Sequence, residues 1–96
     1  MYVVRNVFQA RPGKAKELVA KFKAAAPHLA AAGIRNTRIL TDVAAVFWTV
    51  EVEAEVDSLQ DYIGGLESGL SPAAREAMAG YMELVQGGRR VIYRIE

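Results

Sequence analysis

Ninety-six residues, 52% of them hydrophobic and 24% charged, suffice for one compact domain spanning 1–96 and are too few for two. Twelve Lys and Arg against eleven Asp and Glu leave a net charge of +1, so the chain lacks the basic footprint that a phosphate backbone requires, and nucleic acid is not expected as a partner. The absence of cysteine removes disulfides, thiolate nucleophiles and cysteine metal sites, and no apolar run approaches the roughly 18 residues of a membrane helix, so a soluble, cytoplasmic protein is expected.

Tyr2-Val3-Val4-Arg5-Asn6-Val7-Phe8-Gln9 is rich in β-branched and aromatic residues and alternates where a signal peptide would carry a solid apolar block. Arg11-Pro12-Gly13 stops this run, which predicts a first strand followed by a turn. From Lys14 the period changes: Ala15, Leu18, Val19, Phe22, Ala25, Ala26 and Leu29 form one helical stripe. Pro27 is expected to break that helix near Ala26, and Gly33 to end its alanine-rich tail.

Arg35 to Leu40 and Val43 to Ala54 read as two extended runs joined at Thr41-Asp42, an antiparallel hairpin. In the second run Val46, Trp48, Val50 and Val52 share one face, while Phe47, Thr49, Glu51 and Glu53 share the other. Asp57 or Ser58 caps a short helix with the stripe Leu59, Tyr62, Ile63 and Leu66, weakened by Gly64, Gly65 and Gly69. Ser71-Pro72 opens another helical stretch, from Ala74 through Tyr81 to Val85, that is expected to end at Gly87-Gly88. Arg89 to Ile95 alternates as the last strand.

Two βαβ halves joined by a hairpin predict an α+β fold: a four-stranded antiparallel sheet in ferredoxin-like βαββαβ order, helices on one face, the second helical region split in two. One sheet face is left bare, and a chain this short gains from any further buried interface, so a homodimer closing into a dimeric α/β barrel is expected.

The strand Val4-Arg5-Asn6-Val7-Phe8, with Arg11-Pro12-Gly13-Lys14 opening an amphipathic helix, resembles the dimeric α/β barrel superfamily, nearest to its NIPSNAP and antibiotic-biosynthesis-monooxygenase-like branches. The likeness spans nearly the whole chain. It implies the fold above and a range of activities: cofactor-independent monooxygenases, haem-degrading enzymes, isomerases and domains with no assigned reaction. Against the haem-degrading branch, Asn6 matches a strand-one asparagine, seven residues before Gly13, and Tyr62 stands where those enzymes carry tryptophan. The histidine expected near Pro72 and Ala73 is missing, so no haem and no other cofactor is expected.

Three residues qualify as catalytic candidates, Asn6, Tyr62 and His28. His28 is the one imidazole; it follows Pro27 at a helix end and has no sequence-placed partners, so no metal site is expected around it. Asn6 is an amide on an apolar strand face with Tyr2, Val4 and Phe8, where it must find a hydrogen-bond partner in the protein or in a ligand. Asn6, Trp48, Tyr62 and Tyr81 are the expected pocket, although such aromatics at such spacings also build ordinary cores. Glu51 and Glu53 share a strand face with Arg5 available opposite, which reads as ion pairing rather than acid-base chemistry. The expectation is a homodimeric domain binding a small, apolar, oxygenated molecule, monooxygenase-like in kind; the alternative is a non-catalytic dimerisation or stress-associated interaction module.

Overall fold

The computed structural model describes all 96 residues. Strand β1 (Tyr2–Ala10) leads into helix α1 (Ala15–Ala25), followed by short 3-10 turns at Ala26–His28 and Ala30–Ala32. Strands β2 (Arg35–Thr41) and β3 (Thr49–Val56) precede helices α2 (Leu59–Ser68) and α3 (Pro72–Ala77), a 3-10 turn at Tyr81–Leu84 and strand β4 (Val85–Arg94). The strands form one antiparallel sheet in the order β2-β3-β1-β4, the ferredoxin-like arrangement, with the helices on one face. No helix is long and apolar enough to cross a membrane.

Local chemistry accounts for the element ends. Pro27 has no N–H to give, and α1 passes into a 3-10 turn at Ala26. Gly33, in the left-handed region at φ 79°, closes the alanine tail. Ser58 caps α2 by accepting from the Asp61 N–H at 3.2 Å, and Ser71 caps α3 by accepting from the Ala74 N–H at 3.3 Å. Asp57, the other cap candidate, instead holds Arg35 through two 2.7 Å hydrogen bonds.

Three boundaries differ from the sequence expectation, the first being that the helix opened by Ser71-Pro72 stops at Ala77 rather than running to Val85, with Gly80 at φ 78° separating it from the 3-10 turn Tyr81–Leu84. The second hairpin strand begins at Thr49, not Val43, because Asp42–Trp48 is a closed loop. The Thr49 N–H donates to Asp42 Oδ1 at 2.9 Å, its hydroxyl donates to the Val46 carbonyl at 2.7 Å, and Trp48 takes a left-handed φ of 64°. The alternation of Val46 and Trp48 with Val50 is therefore not a shared sheet face. The last strand begins four residues early, at Val85, so Gly87 and Gly88 lie inside it. Gly88 has a steric reason to be there: a Cβ would sit 2.8 Å from the Val7 carbonyl oxygen of β1.

Pairing along β1 sorts the faces. Val4 opposes Ala54 and Ile92, Asn6 opposes Val52 and Arg90, and Phe8 opposes Val50 and Gly88, all toward the helices. Arg5 opposes Glu53 and Val91, and Val7 opposes Glu51 and Arg89, on the bare face. Beneath the helices the core falls into two clusters, Ala10, Leu18, Phe22, Val50 and Leu84 at one end and Val4, Val56 and Tyr62 at the other.

On the bare face Glu53 is almost fully buried between Arg5, whose Nη2 lies 3.2 Å from its carboxylate, and Arg38, which bonds the other oxygen. Burial pushes this carboxyl up, but the hydrogen bonds and charges of Arg38 and Arg5 outweigh it and hold it below its ordinary 4.5. A depressed folded-state value stabilises the fold above the unfolded value and is lost as pH falls through the folded one. Glu53→Gln should therefore cost about 1–2 kcal/mol at neutral pH, the half-exposed arginines keeping the cost modest. In chemical denaturation the gap to the parent should narrow only below pH 4.5. Separately, Gly88→Ala should lower the melting temperature while Gly87→Ala, with open space around it, should not.

Candidate functional site

The gap between the two core clusters is a cavity of about 170 Å³ bounded by the sheet, α1 and α2. Its walls are apolar, among them Val4, Phe8, Phe22, Val52, Leu66 and Met78. Its polar groups come from Asn6, Arg90 and Tyr62. The helix layer is thin there: of the α2 stripe only Tyr62 is buried, while Ile63 and Leu66 remain 48% and 38% exposed.

Asn6 and Arg90 are direct partners on β1 and β4, and their shared face points them at the same space. Arg90 Nε donates to Asn6 Oδ1 at 2.6 Å. The same guanidinium lies 5.7 Å from the centre of the Tyr62 ring, a cation–π contact that holds it over the mouth. The acceptor of the Asn6 amide is thus satisfied by the chain, while its Nδ2 donor and the Tyr62 hydroxyl have no protein partner and remain accessible. No carboxylate and no imidazole lines the cavity. The arrangement can bind an oxygen and stabilise negative charge on it; it has no ordinary base to remove a proton.

The expected pocket residues are only partly brought together. Asn6 and Tyr62 line the cavity, and Trp48 and Tyr81 do not. Trp48 ends the Asp42–Trp48 loop, 41% exposed, over a surface recess against Ala15, Lys16 and Val19. Tyr81 packs edge-on against Phe8, ring centres 6.2 Å apart, and faces a neighbouring groove along β4. His28 is exposed in the 3-10 turn after α1 and borders a separate recess behind Tyr62 and Leu66. No group of three or more His, Cys, Asp or Glu is placed to hold a metal ion. Arg90 is the residue that reading along the chain missed. The alternation of the last strand was visible but not its phase, which depends on pairing with Asn6.

No family model matches the sequence, and no curated protein matches it. The fold does recur in solved structures. An uncharacterised NIPSNAP domain protein from Burkholderia xenovorans superposes with a TM-score of 0.80 at 13% identity, covering 100% of this chain and 95% of that one. A NIPSNAP family protein from Agrobacterium tumefaciens gives 0.76 at 15% identity over 97% and 90%. A provisionally assigned antibiotic biosynthesis monooxygenase from Chloroflexus aurantiacus gives 0.75 at 17% identity over 96% and 89%. At these identities the likeness is one of fold, and the resemblance seen in the sequence holds at that level.

The site geometry separates two kinds of substitution. Val50, fully buried in the larger core cluster, touches no cavity polar group, so Val50→Ala should cost on the order of 1–3 kcal/mol and shift the thermal melt accordingly. Asn6→Ala removes a half-buried amide whose free donor faces the cavity, and should change ligand retention more than melting temperature. A much lower melt for Asn6→Ala with ligand binding untouched would make Asn6 a structural residue.

Proposed function

We propose that this protein is a homodimeric small-molecule-binding domain, monooxygenase-like in kind, that takes an apolar, oxygenated molecule into the cavity between sheet and helices. The observation that carries the reading is the chemistry of that cavity: apolar walls with the Asn6 donor, the Arg90 cation and the Tyr62 hydroxyl offered to it. An enclosed apolar space with few polar groups orients a ligand by its oxygen and holds its body by burial. The fold neighbour assigned to antibiotic biosynthesis monooxygenases lends support to the chemical class.

A cofactor-independent oxygenation takes its electrons from the substrate and passes them to dioxygen, and with no base in the cavity the substrate must arrive already ionised, its oxygen bearing the negative charge. Arg90 and the Asn6 amide are positioned to stabilise that charge, and Tyr62 to donate to it. The dimer is supported by the bare face, where Val3, Val7 and Val91 are half-buried and Leu40 and Tyr93 are exposed among the ion pairs of Arg5, Arg38 and Glu53. A second copy covering that face would remove apolar surface from water and leave the cavity, on the helix side, free.

Native mass spectrometry of freshly purified protein tests both halves together. The expected result is a dimer at micromolar concentration that carries an excess mass of an organic molecule, lost on mild activation. A monomer at that concentration would remove the dimer. A mass with no excess, and no uptake from a library of single-ring ketones, phenols and acids, would remove the binding function.

A further inference from the structure

We propose that the ligand of this cavity is an anion, a single-ring aryl carboxylate, with its ring between the two core clusters and its carboxylate on Arg90 and Asn6. The proposal rests on the binding function above and narrows it to a charge class and a size.

Charge is divided between the faces of the sheet. The bare face holds Glu51, Glu53 and Glu55, and Arg5 and Arg38 are paired there with Glu53. The face toward the helices carries Arg90 and Arg94 and not one carboxylate: its other paired positions are Tyr2, Val4, Asn6 and Phe8 on β1, Ile39 and Thr41 on β2, Val50, Val52, Ala54 and Val56 on β3, and Gly88 and Ile92 on β4. Arg90 forms no ion pair within the chain. Its nearest carboxylates in the pairing lie on the far side of the sheet. Arg90 is exposed, so water screens it when the site is empty, and a ligand at the cavity mouth can supply the counter-charge that the chain does not.

Donor geometry fits a carboxylate. Arg90 spends Nε on Asn6 Oδ1 at 2.6 Å, which leaves both terminal nitrogens free. Asn6 gives its Oδ1 to Arg90 and keeps its Nδ2 donor unspent at the cavity wall. The Tyr62 ring, 5.7 Å from the guanidinium carbon, lies against the exposed Arg90 side chain at the cavity mouth. Two nitrogens of one guanidinium and a neighbouring amide N–H match the two oxygens of a carboxylate better than the single oxygen of an alcohol or ketone. Size sets the rest: about 170 Å³ is close to the roughly 150 Å³ apolar cavity that accommodates benzene, so one ring is the scale of the buried body.

Calorimetric titration with phenylacetate and with its neutral relative 2-phenylethanol tests the charge assignment, in the parent protein, Arg90→Gln and Arg90→Lys. Phenylacetate should bind the parent at least about tenfold more tightly than 2-phenylethanol, the advantage expected of a charge-assisted contact. Arg90→Gln should abolish that ratio and Arg90→Lys should keep part of it; added salt should weaken phenylacetate alone. Equal binding of the two compounds to the parent, unchanged by Arg90→Gln, would overturn the anionic assignment and leave the cavity as a site for neutral molecules. Binding of neither would overturn this proposal together with the binding function. The comparison within the parent decides the matter even if a variant folds poorly.

Discussion

The register of β1 between β3 and β4 is the constraint from which the other features follow. Its alternation places Val4, Asn6 and Phe8 under the helices and Val3, Arg5 and Val7 on the open side, and both neighbouring strands are read against it. A slip of one residue would turn Glu53 toward Phe22 and Leu18 and turn Val50 and Ala54 out. Glu53 makes that slip costly. It is buried only because Arg5 and Arg38 clasp it from adjacent strands, whereas the cations of the other face, Arg90 and Arg94, lie on β4, which does not neighbour β3. The ion cluster therefore specifies the register as much as it stabilises it.

The same register interrupts the core. An apolar residue in place of Asn6 would join the two hydrophobic clusters into one; the amide, tied to Arg90, keeps a polar seam between them. The helix layer does not close over the seam. Helix α1 ends where Pro27 forbids its continuation, and α2, with Gly64 and Gly65 in its middle, seals little beyond Tyr62. A cavity remains where two helices fall short of covering one polar strand position. Packing and chemistry meet there, since the gap in the core is also where the donors lie.

Much of this was legible along the chain, because the signals were local. Alternation marked β1 and most of β3, a 3.6-residue stripe marked α1, and Ser58, Ser71 and Pro27 marked helix ends by what they accept or withhold. The failures came from one short-range loop closure and from contacts across the ladder. Val43 to Trp48 has strand-forming residues, yet the Asp42 carboxylate and the Thr49 hydroxyl close it into a loop, and Trp48 leaves with it. Gly87 and Gly88 look like a stop, but Gly88 is a strand residue sized by the Val7 carbonyl across the ladder. Arg90 looked equivalent to Arg89 until the partner of Asn6 was known.

The placement of charge and cavity on opposite faces has a consequence for how such a sheet can serve two purposes. Adjacent residues of β1 answer to different demands: Arg5 and Val7 belong to the open face with its ion pairs, Asn6 and Phe8 to the cavity. The backbone between them is held by ladder pairing to β3 on one side and β4 on the other. A solved structure shares this backbone closely, with a TM-score of 0.80 at 13% identity, so the fold recurs with most residues different. Fold and site are separable in this architecture because the sheet is one strand layer thick and its two sides meet only through the peptide backbone.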